Sequence, residues 1–207
     1  MGEGFLDPGK FEFVTALESA WTEIRQECLS LPVDRFEPWV QREMYGEGWS
    51  VYGLVAFGTR IDGALRACPK TASVLDHVPG LTTAGFSRLS PGAHIQPHSG
   101  WVRTVYRLHM GLVVPPNCAL RVGNEIRPWQ EGRCLVFDDT LEHEAWNRSQ
   151  ESRIVFLLDF LRPGIDAGSV DVAPLEVQKM VRQFQHREAE RSAADPTVPG
   201  DDVSRRR

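Results

Sequence analysis

Four of the six histidines, His94, His98, His109 and His143, fall between Ser87 and Arg153, and Arg103, Arg107 and Arg153 share the stretch. Neutral imidazole is a good ligand for first-row metals such as Fe, Zn, Cu and Ni. His98 lies in a PHSG turn. His143 follows Phe137-Asp138-Asp139, which can supply acceptors that orient a ligand from behind. Both sit at ends of expected strands, and distant strand ends converge at the mouth of a β-barrel. A lone histidine is ordinarily a surface or capped residue. These surroundings point instead to a mononuclear metal site.

Arg153 opens the apolar run IVFLLDF. An arginine that starts a buried strand needs an anionic partner or a path to water. A carboxylate suits it, because guanidinium offers a two-pronged fork. Arg107 and His109 are two apart on one expected strand, so they point to the same face. They would add donors for a carboxylate, or else form an exterior salt bridge. Metal-binding histidines beside a carboxylate-binding arginine are the parts of an iron(II) and 2-oxoglutarate oxygenase. Such sites usually carry H-x-D/E…H, with positions left open for co-substrate and O2. Here the acidic position is Gly100. Either a halide or a water would fill the place of the missing carboxylate.

Elements must deliver these residues. Asp7-Pro8 reads as a helix start, followed by apolar residues at three- and four-residue steps through Cys28 and a stop at Leu31-Pro32. Val51–Gly58 reads as a strand, with short helices near 61–67 and 71–78. From Thr82 the rhythm changes. About eight short strands, separated by Pro, Gly and Asn turns, run to Pro163-Gly164. A last helix is expected from Ala173-Pro174, with Val177, Met180, Val181 and Phe184 on one face. From about Ala193 the chain is polar and expected to be disordered. The expected fold is mainly β, a jelly-roll core with flanking helices. One domain over 1–192 is expected: a helical part at about 7–80, the β core at about 82–163 and a helix at about 173–190.

The 207 residues allow a full core. A net charge of −5 gives no nucleic-acid footprint. No apolar run reaches the ~18 residues of a membrane span. Acidic Glu3, Asp7 and Glu12 near the start argue against a secretory leader. Four dispersed cysteines without CxxC spacing are expected as buried thiols in a cytoplasmic protein.

The segments SRLSPGAHIQPHSG, YRLHMGLVVP, RVGNEIRPWQEG, LVFDDTLEHEAWN and SRIVFLLDF together make the chain from about Phe5 to Pro163 resemble the aspartyl/asparaginyl β-hydroxylases. That family characteristically has Gly where Gly100 stands. The resemblance implies a double-stranded β-helix with iron(II) on His98 and His143. It also implies 2-oxoglutarate held by Ser87, Arg107, His109 and Arg153, with Trp49 of the GEGW stretch lining the pocket. Arg153 and Ser87 would meet the distal carboxylate. Arg107 and His109 would meet the carboxylate nearer the metal, or brace the water replacing the missing ligand. His94 is expected to be structural. Asp138 and Asp139 would orient His143 or cap the loop before it. O2 is the co-substrate, and hydroxylation of an unactivated C–H is the implied reaction. The leading expectation for the substrate is the β-carbon of an Asp- or Asn-type residue in a peptide, protein or free amino acid. Arg103, Arg121 or Arg60 would bind a substrate carboxylate. Another small molecule or a lipid acyl chain is the alternative, with halogenation or non-catalytic sensing behind it.

Overall fold

The computed structural model describes residues 4–39, 41–166 and 175–194. The expected start of the last helix at Ala173-Pro174 and the tail beyond 194 lie outside these. Among the described residues, strands occur at β1 (Phe5–Leu6), β2 (Glu37–Pro38), β3 (Trp49–Ala56), β4 (Thr59–Arg60), β5 (Leu81–Leu89), β6 (His94–His98), β7 (Val105–Val113), β8 (Cys118–Val122), β9 (Glu125–Pro128), β10 (Cys134–Phe137), β11 (His143–Asn147) and β12 (Arg153–Leu161). Helices are α1 (Phe13–Ser19), α2 (Trp21–Ser30), α3 (Asp62–Ala67), α4 (Pro69–Leu75) and α5 (Leu175–Ala194).

The strands form two sheets, and every pairing between them is antiparallel. The larger runs β1-β10-β7-β12-β5-β3-β2, with β4 beside β3; the smaller runs β6-β11-β8-β9. This is the expected jelly-roll arrangement, and its strand alternation sorts the side chains. One face of the large sheet carries Leu54, Phe86, Leu108, Met110, Phe156 and Leu158, packed against Leu17, Ile24, Leu65 and Phe184 of the helices. The other face meets the small sheet through Leu89, Val155, Phe137, Ile95, Leu120 and Val122. Fully burying each such side chain contributes about 1.5–3 kcal/mol. The two apolar layers therefore hold the large sheet as a rigid middle wall.

The N-terminal helix is not continuous. Asp7 caps a single 3-10 turn, its carboxylate accepting from the Gly9 amide at 2.9 Å, and α1 and α2 are separated at Ala20. The break falls between two anchors. Phe11 and Phe13 sit edge-on against Phe160 at 5.0 and 4.9 Å, while Trp21 lies under Gly132, where an added Cβ would be 3.0 Å away. Helix periodicity alone carries no sign of this change of direction. Cys28, Cys68, Cys118 and Cys134 are free and buried, as expected. Among the described residues no helix is long and apolar enough to cross a membrane.

Candidate active site

β6 is an edge strand, and β11 lies beside it with His98 directly opposite His143. A bulge between His143 and Ala145 restores the pairing further along, at Ala145↔Ile95. Pro97, which has no amide to give a ladder, sits on the looped-out side. The two imidazole centroids are 4.1 Å apart with planes at 53°. Each ring is tied in the same way: His98 Nδ1–H donates to the Gln96 carbonyl at 2.7 Å, and His143 Nδ1–H to the Leu141 carbonyl at 2.9 Å. This leaves each Nε2 as a lone pair. Burial, followed by the neighbouring His98, lowers the His143 pKa to about 3. Burial also lowers that of His98 against the pull of the Gln96 carbonyl. Two neutral, tautomer-fixed imidazoles at one point fit a divalent first-row ion. Among the described residues no cluster of three or more His, Cys, Asp or Glu side chains adds a third protein ligand.

Gly100 explains why position 100 supplies none. A Cβ there would lie 2.6 Å from Asp139 Cγ and 3.0 Å from its Oδ1. The space a side chain would need is filled by the Asp139 carboxyl, which is 2% exposed, while the Gly100 amide donates to the Asp139 carbonyl at 2.7 Å. Arg107 Nη1 reaches Asp139 Oδ2 at 3.2 Å, and its Nε and Nη2 fork onto Asp159 at 2.7 and 2.8 Å. Burial opposes the Arg107 charge, but Asp159 and Asp139 outweigh it and its pKa is raised. Burial raises the pKa of Asp139 despite Arg107. Of the two roles expected for Arg107, this geometry matches bracing the position opposite Gly100.

A second cluster lies deeper between the sheets. Register places Ser87, Val155 and Val51 in one row, and Trp49, Leu89 and Arg153 two residues along on the same face. Arg153 is 1% exposed. It donates from Nη1 to the Ser87 carbonyl at 3.1 Å, and its Nε has no partner. Its guanidinium carbon lies 4.6 Å over the Trp129 ring. The Trp129 indole N–H and both ring nitrogens of His109 are also buried without partners, and Trp49 Nε1–H donates to Ser87 Oγ at 3.0 Å. Burial, then Arg153, holds His109 neutral, well below its ordinary pKa. Burial alone lowers the Arg153 pKa to about 10. Buried donors are rarely left unsatisfied. A charged guanidinium, an indole and an imidazole left so together form a receptor for a carboxylate.

The structure thus gathers His98, His143, Arg107, His109, Arg153, Ser87 and Trp49 around one interior. His94 stands apart, its Nε2 2.7 Å from Glu144 Oε2, in keeping with a structural role. Asp138 pairs with Arg162 at 2.6 Å and caps Thr140, so it braces the loop ahead of His143. Arg121 is taken up by Glu144 and Glu142, and Arg60 by Asp76, so neither is aimed at the site. Two residues were not anticipated. Asp159 was signalled by an acid inside an apolar strand. Trp129 directly follows Pro128, the last residue of β9, and nothing local marks its ring as facing Arg153.

One cleft reaches His98. Its polar end holds His98, Gly100, Arg107 and Asp139; Trp101, 39% exposed, stands at the opening. The remainder is walled chiefly by apolar residues of β3, β5 and α5.

The ornithine lipid ester-linked acyl 2-hydroxylase of Rhizobium tropici is 46% identical over 118 residues, covering 56% of this chain and 42% of the relative. The human aspartyl/asparaginyl beta-hydroxylase is 34% identical over 167 residues, covering 76% and 22%. The chain therefore spans less than half the length of these relatives. Among solved structures, a predicted oxalate decarboxylase of Thermotoga maritima aligns with a TM-score of 0.43 at 10% identity, over 64% of this chain and 98% of that one. Residues 18–163 match the sequence model of the aspartyl/asparaginyl beta-hydroxylases, and the chain belongs to that hydroxylase family.

Proposed function

We propose that this protein is an iron(II)- and 2-oxoglutarate-dependent dioxygenase that hydroxylates an unactivated C–H bond. The observation that carries the reading is the pairing of two receptors in one interior. One is the tautomer-fixed His98–His143 pair, and the other is the buried set of unpartnered donors on Arg153, Trp129 and His109. The first suits a divalent ion and the second a dicarboxylate. When bound, iron(II) and 2-oxoglutarate supply the oxidation: O2 is consumed, succinate and CO2 leave, and one oxygen atom enters the substrate. The chain's residues bind and orient. Arg153 and Ser87 hold the distal carboxylate in a dry pocket where charge pairing is strong. Trp49 fixes the Ser87 hydroxyl. Asp139, held by Arg107, occupies the side of Gly100. A buried carboxylate there is a poor neighbour for a halide and a good acceptor for water, which favours hydroxylation over halogenation.

For the substrate, the apolar walls of the cleft favour a hydrocarbon chain over an Asp or Asn side chain. The site arginine, Arg107, is already neutralised by two aspartates, so it offers little to an incoming carboxylate. The similarity to a lipid acyl hydroxylase supports the same choice. We therefore place acyl-chain hydroxylation ahead of β-hydroxylation of an Asp-type residue. The test is succinate formation from 2-oxoglutarate with Fe(II) and ascorbate, comparing acyl-amide lipids with Asp-containing peptides. Succinate stimulated by the lipids, with a one-oxygen mass gain on the acyl chain, is the expected outcome. Neither 2-oxoglutarate binding nor decarboxylation under any of these conditions would overturn the oxygenase assignment.

A further inference from the structure

We propose that the far end of the cleft, under α5, is the binding site for the substrate's apolar tail, and that Met180 and Val181 set the length it accepts. The proposal rests on the acyl-chain reading above and adds where the chain lies and what limits it.

The cleft that is lined by His98 and Gly100 is also lined by Val177, Met180, Val181 and Phe184 of α5 and by Val55 and Phe57. Those four α5 residues recur at three- and four-residue steps, so they form one stripe of the helix. Val177 and Phe184 are buried, while Met180 and Val181 are only half-buried. The stripe is thus packed at two positions and partly open between them.

Two features make this wall a fixed part of the site. α5 is anchored below the stripe by Glu188, 2% exposed, which accepts from Arg35 at 3.1 and 3.0 Å, Tyr52 at 3.3 Å and Arg191 at 2.9 Å. Arg187 adds an ion pair to Glu37 of β2 at 3.1 Å. At the bulge between Gly53 and Val55, β3 is turned where it meets β5. A Cβ on Gly85 would lie 2.6 Å from the Tyr52 carbonyl oxygen, so only glycine lets the strands approach there. The occupant that fits an apolar wall continuous with a polar reacting end is an unbranched hydrocarbon attached to a polar head. A peptide would leave backbone N–H and C=O groups unpaired against that wall.

The experiment measures binding without turnover. Unbranched fatty acids of increasing length compete with a fluorophore-bearing fatty acid for the wild-type protein, Val181→Trp and Met180→Ala, all checked by thermal melting. The expected wild-type affinity rises about fourfold per methylene until the cleft is full, then levels off. Val181→Trp brings the levelling to shorter chains, and Met180→Ala moves it to longer ones. If Val181→Trp does not fold, the Met180→Ala shift alone decides. Affinity independent of length, or levelling at the same length in the variants as in wild type, overturns the tail site. Retained 2-oxoglutarate binding in the same preparations would then show that only the tail site had failed and the oxygenase reading stood.

Discussion

Replacing Arg153 by methionine separates the cost of burying its charge from the ligand it serves. Burial lowers its pKa by more than two orders of magnitude in proton affinity, to about 10. A tenfold change in proton affinity corresponds to about 1.4 kcal/mol, so the charged form destabilises the ligand-free fold by roughly 3 kcal/mol. Methionine fills similar volume without charge. It loses the contact with Trp129, about 1 kcal/mol, and the bond to the Ser87 carbonyl, about 1 kcal/mol. The balance is a gain of roughly 1 kcal/mol, which raises the melting temperature by about 2–4 °C in a chain of this size. Adding 2-oxoglutarate with Mn(II) in place of Fe(II), at a hundredfold excess over Kd, should stabilise wild type by about 2.7 kcal/mol and Arg153→Met not at all. Thermal melting with and without ligand measures both effects. A variant that melts several degrees below wild type without ligand would refute the argument that the arginine is held at a cost. One that still responds fully to 2-oxoglutarate would refute its assignment to the co-substrate.

Two further outcomes follow from the same surroundings. Gly100→Ala should lose about 1–3 kcal/mol in urea unfolding, because its methyl group would meet the Asp139 carboxyl; adding Asp139→Ala should recover part of the loss, and additive losses would contradict the crowding. Burial acts to raise the Asp138 pKa, but hydrogen bonds from Arg162 and Thr140 prevail and lower it. Its stabilisation is therefore present above the unfolded value of about 3.9 and is lost as pH falls through the folded one. Asp138→Asn should cost about 1–2 kcal/mol at neutral pH, and the gap to wild type, followed by unfolding at several pH values, should close in acid.

The β core was legible because its strands obey local rules. Turn residues bound the runs, and the last of them, β12, ends at Leu161 just ahead of Pro163-Gly164, where the sequence closes the β core. The meeting of His98 and His143 was legible because each histidine closes or opens such a run. The helix break at Ala20 was not, since it depends on Phe160 and Gly132, both far along the chain. Position 100 was readable only as an absence. That Asp139 fills the space there, and that Asp159 rather than a ligand takes the fork of Arg107, depend on sheet register and sheet stacking. Trp129 was hidden for the same reason.

The bulge beside His143 decides when the two imidazoles of the proposed metal site come together. Each imidazole is tied to a carbonyl two residues back in the chain, so the correct tautomer is available before any tertiary structure forms. Their meeting is different. It requires two strands separated by the whole β7–β10 segment to pair in a single register. Slipping by one residue would send one ring to the opposite face. The extra residue at the bulge, with Pro97 unable to join a competing ladder, pins that register. At the iron site proposed above, the two histidines come together only at closure of the small sheet, and an ion added during refolding should report the moment the edge strand docks.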